Sequence, residues 1–258
     1  MVTDQLAVDR FVPIYRALGT AGTHFVIIGG QACALWAKQY DEGNPSFDAF
    51  RPYVTKDLDL CATGKNSVAV AAKALDLPPH YAPKGSASPE MGVLRYLIDG
   101  RPVPIQILWK GYHVTAKEII EREQRYLWKD YGLELAVMHP IHCLEDKAAA
   151  LCGLNQTGRQ DRKHLRMALR FVPLFITERL TDSAPRQILG MCQRLMQIAE
   201  GEIGLKCYLN HRLCVEKAIP VKELRASGVG SLQNFVAKEY KRRLTNLREL
   251  RKGSRRDH

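Results

Sequence analysis

HFVIIGGQACAL, residues 24–35, decides how the chain is read. Phe25 to Ile28 are apolar and three of the four are β-branched, which predicts a short buried strand. Gly29 and Gly30 stop it, and Ala32, Leu35, Trp36 and Tyr40 then recur at helical spacing. The unit is strand, tight turn, helix. Upstream, Ala7, Phe11, Ile14, Tyr15 and Leu18 predict a helix over 5–18 that ends at Gly19 and Gly22. Downstream, residues 41–53 are rich in Asp, Gly, Asn and Pro and read as a loop. They lead into TKDLDLCAT at 55–63, where Leu58 and Leu60 alternate with Asp57 and Asp59 as in a strand with one polar face.

A helix is expected over 66–76 through Val68, Ala71, Ala72 and Leu75, then a Pro/Gly/Ser loop at 78–90. VLRYLI (93–98) and VPIQIL (103–108) flank DGRP, and Asp-Gly supplies the backbone conformations a hairpin turn needs. From Pro140 onward the expected elements are helices, over 140–152, 159–172, 184–200 and 231–252. The fold class is therefore α+β. Residues 1–140 hold a small mixed β-sheet with flanking helices, and residues 141–258 a helical basic region.

The chain has 258 residues, of which 46% are hydrophobic, enough to bury a core and too much for a disordered chain. Its net charge of +11 is unevenly spread, since residues 1–140 carry 15 basic and 15 acidic side chains. The excess lies in the second part. Lys238, Lys241, Arg242, Arg243, Arg248, Arg251, Lys252, Arg255 and Arg256 face only Glu239, Glu249 and Asp257 in the last 21 residues. A concentrated basic surface attracts polyanions, and the competing reading is a solvated helix with a frayed tail. The 7 cysteines never form C-x-x-C, which argues against a disulfide framework or zinc knuckle and fits a reducing cytoplasm. The N-terminus carries acids where a signal peptide carries bases, and no uncharged apolar run reaches the ~18 residues of a membrane span. Neither export nor membrane insertion is expected.

In Asp57-Leu58-Asp59 the strand period puts both carboxylates on one face, with Cα atoms about 6.5 Å apart. Such a pair can hold Mg²⁺, a hard cation that takes oxygen ligands and keeps waters for phosphates to replace. The alternative is an ordinary solvated strand face. Gly29 and Gly30, at a helix start, offer bare N–H groups to a phosphate, or else simply make a tight turn. Two later helices carry ions on apolar stripes. Lys147 edges the stripe Ile141, Leu144, Ala148, Leu151, and Asp161 aligns with Leu165, Ala168 and Val172. Ions so placed need partners. A Lys147–Asp161 pair locking the helices and a role for Lys147 at a phosphate carry equal weight. His139, His142 and Cys143 fit no common zinc spacing and read as helix-start residues. No P-loop, G-x-S-x-G or six-residue Gly-rich fingerprint is present.

Taken in order, IIGGQACAL (27–35), KDLDL (56–60), VPIQIL (103–108), HPIHCLEDKAAAL (139–151) and RQDRKHL (159–165) resemble the nucleotidyltransferase superfamily of the polymerase-β type. The similarity is to its AbiEii-like toxin branch of minimal nucleotidyltransferases, and it covers roughly residues 22–172. The resemblance implies a nucleotidyltransferase-like sheet and transfer of NMP from an NTP to a hydroxyl on RNA, protein or a small molecule, with tRNA or another RNA among the acceptors. It also implies a toxin–antitoxin setting with an antitoxin protein as partner. Gly29 and Gly30 would face the triphosphate, Asp57 and Asp59 would hold one or two Mg²⁺ ions, and Lys147 with Asp161 would match the branch's conserved pair. One position departs. The third acid of the family falls on Gln106, a neutral amide that offers an oxygen but neither charge nor base. Asp99 is no substitute, since it lies in the hairpin turn. A catalytically degenerate member that binds nucleotide or RNA is the alternative reading.

Overall fold

The computed structural model describes residues 5–253. Arg255, Arg256 and Asp257 of the basic tail lie outside the described residues. The chain divides into two compact units, residues 1–147 and 148–258.

The first unit contains, in chain order, β1 (Leu6–Ala7), α1 (Val12–Gly19), β2 (Val26–Ile28), α2 (Gly29–Asp41), β3 (Val54–Thr55), β4 (Leu58–Cys61), α3 (Ser67–Ala74), β5 (His80–Tyr81), β6 (Glu90–Ile98), β7 (Arg101–Leu108), α4 (Ala116–Glu121), β8 (Gln124–Trp128), β9 (Leu133–Val137) and the start of α5 (Pro140–Gly153). Seven strands form a mixed sheet in the order β5-β6-β7-β4-β2-β9-β8, and β1 pairs with β3 separately. β4 runs parallel to β7 and β2 parallel to β9, whereas β2 and β4 are antiparallel. Leu58, Leu60, Ile105 and Ile107 fill one face of the two central strands and are essentially inaccessible, each contributing about 1.5–3 kcal/mol by burial. The β6–β7 turn places both Asp99 and Gly100 at positive φ, 53° and 74°, the conformation Asp-Gly is suited to.

Several elements differ from the sequence expectation, among them β5 inside the expected 78–90 loop and the unforeseen α4. The helix expected over 5–18 begins only at Val12, because Pro13 lacks the N–H an interior position would need and fits only a first turn. The preceding residues form β1 and a short 3₁₀ helix, Val8–Phe11. β8 and β9 were not foreseen, since charges at Arg125 and Glu134 interrupt short apolar runs. They alternate nonetheless. Tyr126, Trp128, Leu135 and Val137 are buried while Arg125 and Glu134 pair on the exposed face.

The second unit is helical: after the end of α5 come α6 (Asp161–Arg179), α7 (Pro185–Glu200), α8 (Glu202–His211), α9 (Val221–Ala226), α10 (Gly230–Asn234) and α11 (Lys241–Gly253). A π-helical turn, Phe235–Tyr240, separates the last two where one helix over 231–252 was expected. α6 runs past the expected end at 172, with Pro173 inside it, and the Thr177 hydroxyl donates to the Pro173 carbonyl at 2.9 Å. Charge is also built into this unit. Arg251 and Glu216 are buried and joined by two hydrogen bonds of 2.8 and 2.7 Å, and Arg251 lies 4.1 Å from the Tyr208 ring centre. Arg243 binds Glu200 through two bonds of 2.9 and 2.6 Å. Two of the nine bases counted in the tail are thus spent on internal carboxylates.

Candidate active site

Antiparallel pairing of β2 with β4 sets Ile28 opposite Asp59, so the turn that follows Ile28 arrives beside that carboxylate. Gly29 has φ +66°, and a Cβ built there would stand 2.2 Å from Asp59 Oδ2. Only glycine fits both demands. Gly30 follows, buried in the first turn of α2. On the other side, parallel pairing of β4 with β7 sets Gln106 directly against Asp59, about 4.8 Å away between strands. Both are half-buried and lie on the sheet face opposite Leu58, Leu60, Ile105 and Ile107. The structure therefore brings Gly29, Asp59 and Gln106 together across three adjacent strands.

Asp57 immediately precedes β4 and shares the face of Asp59. Its backbone is held by Thr55 and Gln31, neither of which local periodicity singled out, and Gln31 is held in turn by Tyr15. The buried Thr55 hydroxyl donates to the Asp57 carbonyl at 2.9 Å and lies 3.4 Å from Asp57 Oδ1. The Gln31 amide donates to the same carbonyl at 3.4 Å, and the Tyr15 hydroxyl donates to Gln31 Oε1 at 2.6 Å. Gln31 is 1% exposed, so its oxygen would be costly to leave without Tyr15. Burial, reinforced by the neighbouring Tyr126 and Asp9, raises the Tyr15 pKa well above its ordinary value. Tyr15 therefore stays a neutral donor.

Met138 N–H donates to the Ile27 carbonyl at 2.9 Å, and the Trp36 indole donates to Met138 O at 2.8 Å. These bonds fix the chain just before α5 to the β2 and α2 that carry the glycine turn. His139 Nδ1 accepts the Ile141 N–H at 3.1 Å, and Cys143 donates to Met138 O; both serve the helix start, as expected. Glu145, Asp146 and Lys147 on α5 are all buried. Asp146 Oδ1 accepts from the backbone of His113 at 2.8 Å and of Val114 at 3.4 Å. It thereby holds the loop that follows β7, at Gly111, where a Cβ would come within 2.7 Å of the same oxygen. Asp146 was also missed by the sequence reading. Lys147 closes the first unit. Asp161 opens α6 in the second, buried, with the Arg159 Nε at 2.5 Å from its Oδ2. Each of these two ions belongs to its own unit.

Asp57, Asp59 and Gln106 offer hard oxygens on a half-exposed face, a donor set that suits Mg²⁺ with water and phosphate completing its shell. Among the described residues no group of three or more His, Cys, Asp or Glu side chains forms a denser metal cage. No helix among the described residues is long and apolar enough to cross a membrane. Comparison with family models, with curated proteins and with solved structures finds no match.

Proposed function

We propose that the chain is a Mg²⁺-dependent, nucleotidyltransferase-like protein that transfers NMP from an NTP to an acceptor hydroxyl, on tRNA or another RNA, as the toxin of a toxin–antitoxin pair. The observation that carries this reading is the fit of Gly29 against Asp59. A glycine that alone can occupy its position packs on a carboxylate that has a second carboxylate two residues away. Bare N–H groups at the start of α2 would then meet a triphosphate held beside Asp57 and Asp59. Bound Mg²⁺ would offset the triphosphate charge and acidify the attacking hydroxyl. Thr55, Gln31 and Tyr15 hold Asp57 in place, and Lys147 and Asp161 keep the roles given by the resemblance.

Gln106 favours a second reading, binding of nucleotide or RNA without transfer, because it sits directly beside Asp59 and brings no charge. The two readings separate in one experiment. The protein is incubated with Mg²⁺, each labelled NTP and total RNA, in wild-type and Asp57→Asn forms, while Mg²⁺ binding is followed by calorimetry. Transfer that disappears in Asp57→Asn supports the enzyme. Mg²⁺-dependent NTP binding without label transfer supports the second reading, and unchanged Mg²⁺ affinity in Asp57→Asn removes the carboxylate pair from both.

A further inference from the structure

Cys152, in the last turn of α5, and Cys207, in α8, lie 55 residues apart in sequence with their sulfurs 3.4 Å apart in the second unit. A disulfide needs about 2.05 Å, so the two sulfurs are already neighbours and a shift of side-chain size would join them. Cys207 Sγ also lies 3.7 Å from the Ala148 carbonyl, and Cys152 Sγ 3.7 Å from the Ile203 carbonyl. The hydrogen bond from Cys207, outweighing burial and helped by the Lys206 charge, lowers the Cys152 pKa. The same bond, with burial, raises that of Cys207. Of the two, Cys152 is thus the one whose pKa moves toward the thiolate.

Exposure singles out the same residue. Of the seven free cysteines, five are buried and only Cys152 and Cys214 are half-exposed. Cys214 is pushed the other way, upward, by burial and then by Glu216. Reactivity toward oxidants follows thiolate character and access together, and Cys152 alone combines them.

We propose that Cys152 is a peroxide-reactive modification site whose sulfenic acid is resolved by Cys207, forming an intramolecular disulfide between the last turn of α5 and α8. In the first step the Cys152 thiolate attacks one oxygen of hydrogen peroxide. The O–O bond breaks, hydroxide leaves and takes a proton to become water, and the sulfur is oxidised to sulfenic acid. In the second step the Cys207 sulfur attacks the sulfenic sulfur, the S–O bond breaks, and the Cys207 proton leaves with the hydroxide as a second water. Two thiols and one peroxide give one disulfide and two waters. The chemistry is independent of the nucleotidyl-transfer reading.

The test is to treat the reduced full chain with one equivalent of hydrogen peroxide, alkylate, and map peptides without reduction. The expected result is loss of two free thiols and of two hydrogen masses, with the Cys152 and Cys207 peptides linked. In Cys207→Ser, a dione probe should trap sulfenic acid at Cys152. Sulfinic acid at Cys152 with no linked peptide in wild type would overturn the resolving role. Oxidation or alkylation of Cys214 ahead of Cys152 would overturn the site itself. Wild-type mapping decides both points even if the variant folds poorly.

Discussion

The two units handle charge in opposite ways. In the first, Asp57 and Asp59 sit on a half-exposed sheet face with a glycine turn packed against one of them and a neutral amide beside it. In the second, Arg251 and Glu216 are buried against each other and Arg243 is clamped by Glu200. A half-exposed carboxylate beside a helix N-terminus would, under the proposed function, meet a ligand from outside, whereas a forked arginine on a buried carboxylate is used within the chain. Counts of charge in sequence do not distinguish these uses. The surplus of bases after residue 140 therefore says less about a polyanion partner than its size suggests.

The largest expected effect lies in the first unit. Because Gln106 is paired in register with Asp59, Gln106→Asp adds a third carboxylate to that face, with a charged oxygen and a proton acceptor. General-base assistance is commonly worth ~10²–10⁴-fold. Label transfer from NTP to RNA should rise by that order, or appear where it was absent. Robust wild-type transfer with a neutral or harmful Gln106→Asp would mean that two carboxylates suffice and that the acceptor hydroxyl is activated elsewhere.

In the second unit the corresponding experiment removes a carboxylate. Glu216→Gln strands the buried Arg251 cation, and breaking one partner of such a pair costs about 3–5 kcal/mol. Urea unfolding should show that loss. Replacing both, as Glu216→Leu with Arg251→Met, should recover most of it, since an apolar pair of similar volume often matches a buried ion pair. If Glu216→Gln is neutral, Arg251 is solvated and the contrast between the units fails.

A smaller effect tests the support beneath Asp57. Tyr15→Phe removes the donor to the buried Gln31, at about 1 kcal/mol near neutral pH. The pH dependence has a definite sign. The folded state holds the Tyr15 pKa above its ordinary value, chiefly by burial, so its stabilising contribution is complete below about pH 10. It is lost as pH rises through the folded value, because the unfolded chain releases the proton first. Stability of the wild type should therefore decline more steeply above pH 10 than that of Tyr15→Phe, as followed by urea midpoints. Equal slopes would place Tyr15 in contact with water.

What the sequence disclosed and what it hid divide along a physical line. The glycine turn, the alternation in DLDL and the Asp-Gly hairpin are local, since period two and positive φ leave marks within a few residues. Asp59 opposite Ile28 and Gln106 beside Asp59 followed from those strands once they paired. Thr55, Gln31 and Asp146 left no such mark, and Tyr15 was legible only as one residue of a helical stripe, not as a partner of Gln31. Tyr15 meets Gln31 across 16 residues, Gln31 meets Asp57 across 26, and Asp146 meets His113 across 33. β8 and β9 were hidden because apolar residues on their outer faces, the exposed Leu127 and the half-buried Ala136, blur the period of two. Arg251 was counted with the tail because its partner, Glu216, lies 35 residues away.

The smallest predicted effect bears on the remaining tail bases. Deleting 238–258 would remove Arg243 and Arg251 with everything else, and loss of RNA binding would then report on folding. Lys238, Lys241, Arg242 and Arg248 are exposed, and neutralising them to Gln leaves the two internal clamps intact. Each contact with a single-stranded phosphate contributes about 0.7 to the slope of log K against log salt. If all four touch RNA, the slope should fall by up to about 3 while urea stability is unchanged. A slope that stays the same with stability preserved would assign these side chains to a solvated helix face. The polyanion reading of the second unit would then have to rest on the exposed arginines of α6, at 162, 166 and 170, which stand one helical turn apart along a single face.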